Sequence, residues 1–385
     1  MFNLKKQIRT LYITGILGNL SITGAWVVIL SARGFSLVQI GFAETIFHIT
    51  SLICEIPSGM LADVYGRKKM LVISRIMAVL GDLVMFLSTD FFLVCLSMPF
   101  HALSYNLASG SGDALAYDSM KVCGAENGYE KYSSNQSIIY RIGSGISTLL
   151  AGFALYLGYR KAYLISAVMG VIALVFNCML VEVRCDEKNA ADIGKAASMS
   201  LENKDRAKDV KVTVLAMAKS LGRFFADSIR FLFHNPYATR LMFLNSFVGA
   251  VDVLLLFFLQ SKLKSAGISN TLLGPALLVM ELGGVLGARM ILRVKKVRYG
   301  IIFVLCAAGV LAGVLLEHTA LIPLMVLGGF ISSMSDDAIQ IRTDAKLQDI
   351  FPSEQRATLI SISSFTFSVI MIILSPLAGF FFERW

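Results

Sequence analysis

The sequence predicts an all-α integral membrane protein, on three observations. Hydrophobic residues make up 56% of the 385 and charged residues only 16%, where an average soluble domain carries about 25% charged. The mean hydropathy is +0.70. The apolar residues gather into eleven runs, each close to the length of about 20 residues that a helix needs to cross a bilayer.

The runs cover residues 8–31, 37–62, 70–89, 91–119, 134–157, 160–183, 237–262, 270–292, 299–317, 320–343 and 356–382. The first follows a basic start, Met1 to Arg9, and is too long for a signal-peptide core. The connections alternate in charge. On one side lie Lys5, Lys6 and Arg9, then Arg67 to Lys69, Lys121 and Lys131, the segment 184–235, Arg289 to Arg298, and Arg342 to Arg356. The other side carries only Arg33, Arg160, Lys161, Lys262, Lys264 and Arg384. Lys and Arg accumulate on the cytoplasmic side. The expectation is a multi-pass plasma-membrane protein with its N-terminus inside.

Segment 184–235 interrupts the runs. Its first part is charged. From Val210, the residues Val214, Met217, Leu221, Phe225 and Leu232 recur at helical spacing among Lys and Arg, which predicts a helix lying on the inner membrane surface. The expected organisation is a six-helix bundle over 1–183, a cytoplasmic linker over 184–235, and a second bundle of five spans over 236–385. A weak internal repeat supports two matched halves. Ser111-Gly112-Asp113-Ala114-Leu115 recurs as Ser335-Asp336-Asp337-Ala338-Ile339, and Gly59-Met60-Leu61 as Gly284-Val285-Leu286.

Composition narrows the chemistry. The net charge of +9 is explained by basic loops, so no nucleic-acid partner is expected. Six scattered cysteines form no C-x-x-C pair, and four histidines lie far apart, so neither a metal site nor a disulfide frame is predicted. No G-x-x-x-x-G-K-[ST] loop for ATP is present, and no catalytic constellation stands out. The chain is read as a non-enzyme without cofactor, in contact with the lipid bilayer.

Between the second and third runs lies Gly59-Met60-Leu61-Ala62-Asp63-Val64-Tyr65-Gly66-Arg67-Lys68-Lys69. This G-x-x-x-D-x-x-G-R-K-K pattern, in this position, resembles the signature loop of the major facilitator superfamily. The lead-in Glu55-Ile56-Pro57-Ser58-Gly59, and Ser109-Gly110 running to Tyr117-Asp118, look like a bacterial, drug-exporter-like branch. The resemblance implies two parallel helical bundles that rock about a central cavity. It also implies a twelfth span, expected near 384–407, where the chain ends at Trp385. In the family the loop locks and releases the halves. Gly59, Asp63, Gly66, Arg67, Lys68 and Lys69 would then be gating residues.

Ionisable residues inside spans are costly, so each is a functional candidate. Glu44, His48 and Glu55 fall on one face of the second span. Asp113 lies deep in the fourth, Arg141 in the fifth as its proposed partner or that of Glu55, Asp252 in the seventh and Glu281 in the eighth. These are the proton-coupling or cavity candidates. Asp118, Arg342 and Arg356 are expected in a cytoplasmic gate. The fourth span lacks an arginine and the fifth a G-P pair, so the family's drug–proton antiporter motif is not matched. The function expected is alternating-access transport of a small molecule, with proton-coupled export ahead of nutrient uptake or facilitated diffusion. A non-transporting sensor or scaffold is the alternative of another class.

Overall fold

A computed structural model describes residues 2–183 and 235–384, save 295, 320 and 351–355, with isolated positions at 223, 226 and 230. The predicted surface helix within 184–235 lies outside the described residues.

Every described segment of regular structure is helical. The order is α1 (Leu4–Asn19), α2 (Trp26–Ala32), α3 (Leu37–Tyr65), α4 (Arg67–Leu87), α5 (Phe91–Ala108), α6 (Ser111–Val122), α7 (Tyr129–Leu149), α8 (Ala151–Leu157) and α9 (Tyr159–Met179). Then follow α10 (Pro236–Ser265), α11 (Asn270–Ile291), α12 (Tyr299–Glu317), α13 (Ile322–Ile350) and α14 (Arg356–Arg384). Local sequence sets the starts. Ser36 and Gln39 form a capping box at α3, Asp90 and Ser269 cap α5 and α11, and Pro236 opens α10, each satisfying or omitting an orphan N–H.

Among the described residues nine helices are long and apolar enough to cross a membrane, and a bent pair makes up to ten. The prediction of eleven simple spans is corrected at three places, the first being run 91–119, which Ser109 and Gly110 divide into α5 and α6. Run 8–31 is two helices, α1 and α2. Between them Ser21 and Thr23 take over the backbone: the Thr23 N–H donates to Ser21 Oγ at 3.1 Å and the Ser21 N–H to Ser147 Oγ at 2.9 Å. Such side chains compete with the helix for its hydrogen bonds. Run 134–157 bends by 46° between α7 and α8. Exposed Phe92, Val304 and Leu305 face outward, as lipid contact requires.

The helices pack as two bundles. In the first, α4 lies against α5 and α9, α3 against α5, and α1 against α7 and α9; in the second, α13 is the hub for α10, α11 and α12. The bundles meet along α3 with α14 and along α7–α8 with α11, with α2 against α10. Under the internal repeat, the second and fifth spans correspond to the eighth and eleventh. The two long seams are therefore the same contact seen twice.

Backbones touch at these seams because glycine permits it. A Cβ on Gly41 would strike the Ser375 carbonyl, and one on Gly152 the carbonyl of Asn270. Hydrogen bonds cross between the bundles at Ser31–Ser261, Val38–Glu383, Thr45–Ile372 and Thr148–Glu281. All lie between mid-span and the end opposite the Arg67–Lys69 loop.

Candidate functional site

The loop at 59–69 is built around Gly66, whose φ is +101°. That backbone favours glycine, and a Cβ there would also meet the Glu182 carboxylate. Glu182 accepts from the Arg67 N–H at 3.0 Å and the Lys68 N–H at 2.9 Å. It thus caps the start of α4 and opposes the positive end of that helix. Arg67 donates to the Ala114 carbonyl at 2.9 Å and pairs with Asp118. The loop is tied to α6 and the end of α9, all within the first bundle.

Asp118, expected in a cytoplasmic gate, pairs here with Arg67 of its own bundle. Arg342 likewise donates to the Val297 carbonyl at 3.4 Å within the second bundle. The side chains of Asp63 and Arg356 lie outside the described residues. Gly59 is exposed with open space around it, and Lys68 and Lys69 line a shallow pocket beside Glu182.

A cavity of about 1450 Å³ lies between the bundles. Its deep end is at Trp26 and Phe257, whose rings meet edge to face at 5.9 Å. It runs from there towards the basic end, where Asp113 and Asp344 line it and are exposed. Glu44, His48 and Glu55 all line it, as one helix face requires. His48 Nε2 lies 3.3 Å from Glu44 Oε1.

The remaining candidates are not brought together there. Asp252 is 4% exposed and accepts from Ser332 Oγ inside the second bundle, since its face of α10 is turned towards α13. Glu281 accepts from Thr148 Oγ1 at 2.6 Å at the α7–α11 seam. Neither lines the cavity. Arg141 makes no ion pair with Asp113 or Glu55; the carboxylate within its electrostatic range is Asp337 of the second bundle.

Several cavity groups escaped the sequence reading. Arg75 and Asp82 stand seven apart on α4, within electrostatic range of each other, and both line the cavity. Arg75 rests on Gly18 of α1, and the His101 ring on Gly81. Asp344 lines the same space from α13, as does Asp336, which the sequence marks in the internal repeat. The signal was present: a charge inside an apolar run is expensive wherever it falls, and run 70–89 contains two.

Two matched helical bundles around a polar, membrane-embedded cavity define a carrier-type membrane protein. The chain belongs to the major facilitator superfamily, whose family profile matches residues 10–376. YxaM of Bacillus subtilis (strain 168), described as an uncharacterized MFS-type transporter, is 26% identical over 179 residues, which is 46% of this chain and 43% of that protein. The match thus spans less than half of that relative. Among solved structures, the nucleoside transporter NupG is 18% identical with a TM-score of 0.70, over 100% of this chain and 92% of that one. A D-xylose–proton symporter is 12% identical with a TM-score of 0.69, over 96% and 88%. A bacterial Spinster homologue, solved inward-facing and unoccupied, is 14% identical with a TM-score of 0.70, over 97% and 81%. At these identities the likeness establishes the fold. None of it singles out a drug-exporter-like branch.

Proposed function

We propose that the chain moves a small molecule across the plasma membrane by alternating access, coupled to protons. The basic end, with the N-terminus, is cytoplasmic on this reading, because Lys and Arg gather there. The conformation described is then open to the inside. The observation that carries the reading is the position of the seams. The cross-bundle hydrogen bonds lie from mid-span to the end away from the basic loop, while the cavity reaches exposed Asp113 and Asp344 near that loop.

In this account Glu55 and Asp113 are the proton-coupling groups, facing the cavity from the first bundle, with Glu44 and His48 beside them. Asp252, held by Ser332 inside the second bundle, neighbours Asp336, which lines the cavity. Gly59, Asp63, Gly66 and Arg67 to Lys69 form the cytoplasmic latch, which engages Arg342 and Arg356 when the inside closes. Glu281 and Arg141 act at the bundle interface.

Export is favoured by the resemblance at Glu55–Gly59 and Ser109–Asp118. A second reading, proton-driven uptake, draws on the likeness to a D-xylose–proton symporter. One experiment separates them. Proteoliposomes loaded with a pH-sensitive dye are given a library of small molecules from outside. Antiport raises the internal pH as substrate enters, and symport lowers it. Loss of the signal in Glu55→Gln and Asp113→Asn is expected. A substrate-dependent proton signal of full size in both variants contradicts the coupling assignment, and no proton movement with any transported compound contradicts proton coupling itself.

A further inference from the structure

The cavity is acidic beyond what the protein neutralises. Arg75 stands with Asp82, and His48 with Glu44. Glu55, Asp113, Asp336 and Asp344 line the same space, and no ion pair joins any of them to a cation among the described residues. Glu55 is set back from the open end where Asp113 and Asp344 are exposed; a carboxylate held at that depth without a partner is costly, and a cationic ligand relieves that cost.

Acidity alone does not make a site, but two further features sit beside Glu55. Tyr105 lies within electrostatic range of both Glu55 and Tyr140. The two tyrosines are 64% and 61% exposed and line the cavity, and the Phe47 ring lies tilted beside Tyr105 with ring centroids 6.3 Å apart. Open aromatic faces next to a carboxylate are the surroundings an ammonium group prefers.

The second feature is His48, two helical turns from Glu55 on the same face of α3. It is 8% exposed, lines the cavity between the rings of Phe47 and Phe367, and its Nδ1 has no hydrogen-bond partner. With Nε2 3.3 Å from Glu44 Oε1, Nδ1 is the ring's open polar atom. Asn245 Oδ1, also on a cavity-lining residue, is a second unpartnered polar atom. Buried polar atoms left open on a cavity wall mark a surface that a ligand completes.

We propose that the wall formed by Glu55, Tyr105, Tyr140 and Phe47, with His48 two turns away, is a seat for an organic cation: a protonated or quaternary amine, or an equivalent onium ion, carried on an aromatic or apolar body. Glu55 supplies the counter-charge, the tyrosine faces hold the cationic head, and the His48 ring with those of Phe47 and Phe367 holds the body. The inference rests on the transport reading, whose substrate it specifies.

The test is equilibrium binding to the purified full chain in detergent. The probes are tetraphenylphosphonium and the smaller phenyltrimethylammonium, with tetraphenylborate as the anion of matched shape. Saturable binding of at least one cation, at least tenfold tighter than the borate, is expected. Glu55→Gln should weaken that cation about tenfold or more, Tyr105→Ala several-fold, and Tyr105→Phe little, since the ring face remains. Each variant is first shown to elute as a single species, and Tyr105→Phe guards against reading misfolding as lost binding. Equal affinity for cation and anion, no binding of either cation, or an unchanged affinity in both Glu55→Gln and Tyr105→Ala overturns the seat. Binding is read without flux, so those results leave the proteoliposome test of transport to stand or fall alone.

Discussion

Thr148 Oγ1 donates to the Glu281 carboxylate at 2.6 Å, joining α7 of one bundle to α11 of the other. A hydrogen bond to a charged group contributes about 1.5–3 kcal/mol. This one exists only while the seam is closed, so it weights the equilibrium towards the conformation described.

Thr148→Val removes the donor and keeps the shape. It is expected to raise the fraction of molecules with the seam open about tenfold. The measurement is maleimide labelling of Ala154→Cys, a fully buried position on α8, in a background freed of native cysteines.

The close approach of the seam gives a second expectation. A Cβ on Gly152 would collide with the Asn270 backbone, whereas one on Gly145 meets only the end of Leu278 at 3.4 Å. Gly152→Val should hold the seam apart and make Ala154→Cys permanently reactive. Gly145→Ala should leave the labelling rate within about twofold of the parent, since its contact is ordinary van der Waals distance.

The signature loop depends on Gly66 and Glu182 together. Gly66→Ala places a side chain at φ +101° and drives it against Glu182, a strain of about 1–3 kcal/mol. Glu182→Gln keeps the acceptor and loses the charge at the start of α4, about 1 kcal/mol. Thermal unfolding in detergent should therefore show a larger loss for Gly66→Ala than for Glu182→Gln.

Arg75 and Asp82 should behave as one unit. Asp82→Asn removes the carboxylate within electrostatic range of Arg75 and is expected to cost about 1 kcal/mol, while Arg75→Met added to it restores much of the loss. A double-mutant cycle on unfolding midpoints reads this coupling. Additive losses would show that the two charges do not interact.

The bundles, the order of spans and the loop were legible because lipid imposes long apolar runs and basic connections, which single residues cannot disguise. The face shared by Glu44, His48 and Glu55 followed from helical spacing alone. The break at Ser21–Gly24 was not legible, because run 8–31 is apolar enough to read as one helix, and the hydroxyl that satisfies the break, Ser147, lies far away in sequence. Rotation about each helix axis was the other gap. Asp252 and Glu281 sit mid-span like Glu55, yet one points into its own bundle and the other into the seam. Arg75 and Asp82 were visible as charges, and their neglect hid the cation that sits opposite Gly18.

The most direct test places spin labels at Lys69 and Lys296 on the basic end, and at Asp90 and Lys264 on the other, all exposed positions. Distances between labels of each pair are measured in nanodiscs by double electron–electron resonance from pH 8 to pH 5. Reciprocal changes are predicted: one population with the basic-end pair far apart and the opposite pair close, and a second with the order reversed, their ratio moving with pH. Two pairs that stay fixed across that range, or that lengthen together, contradict alternation about the seams.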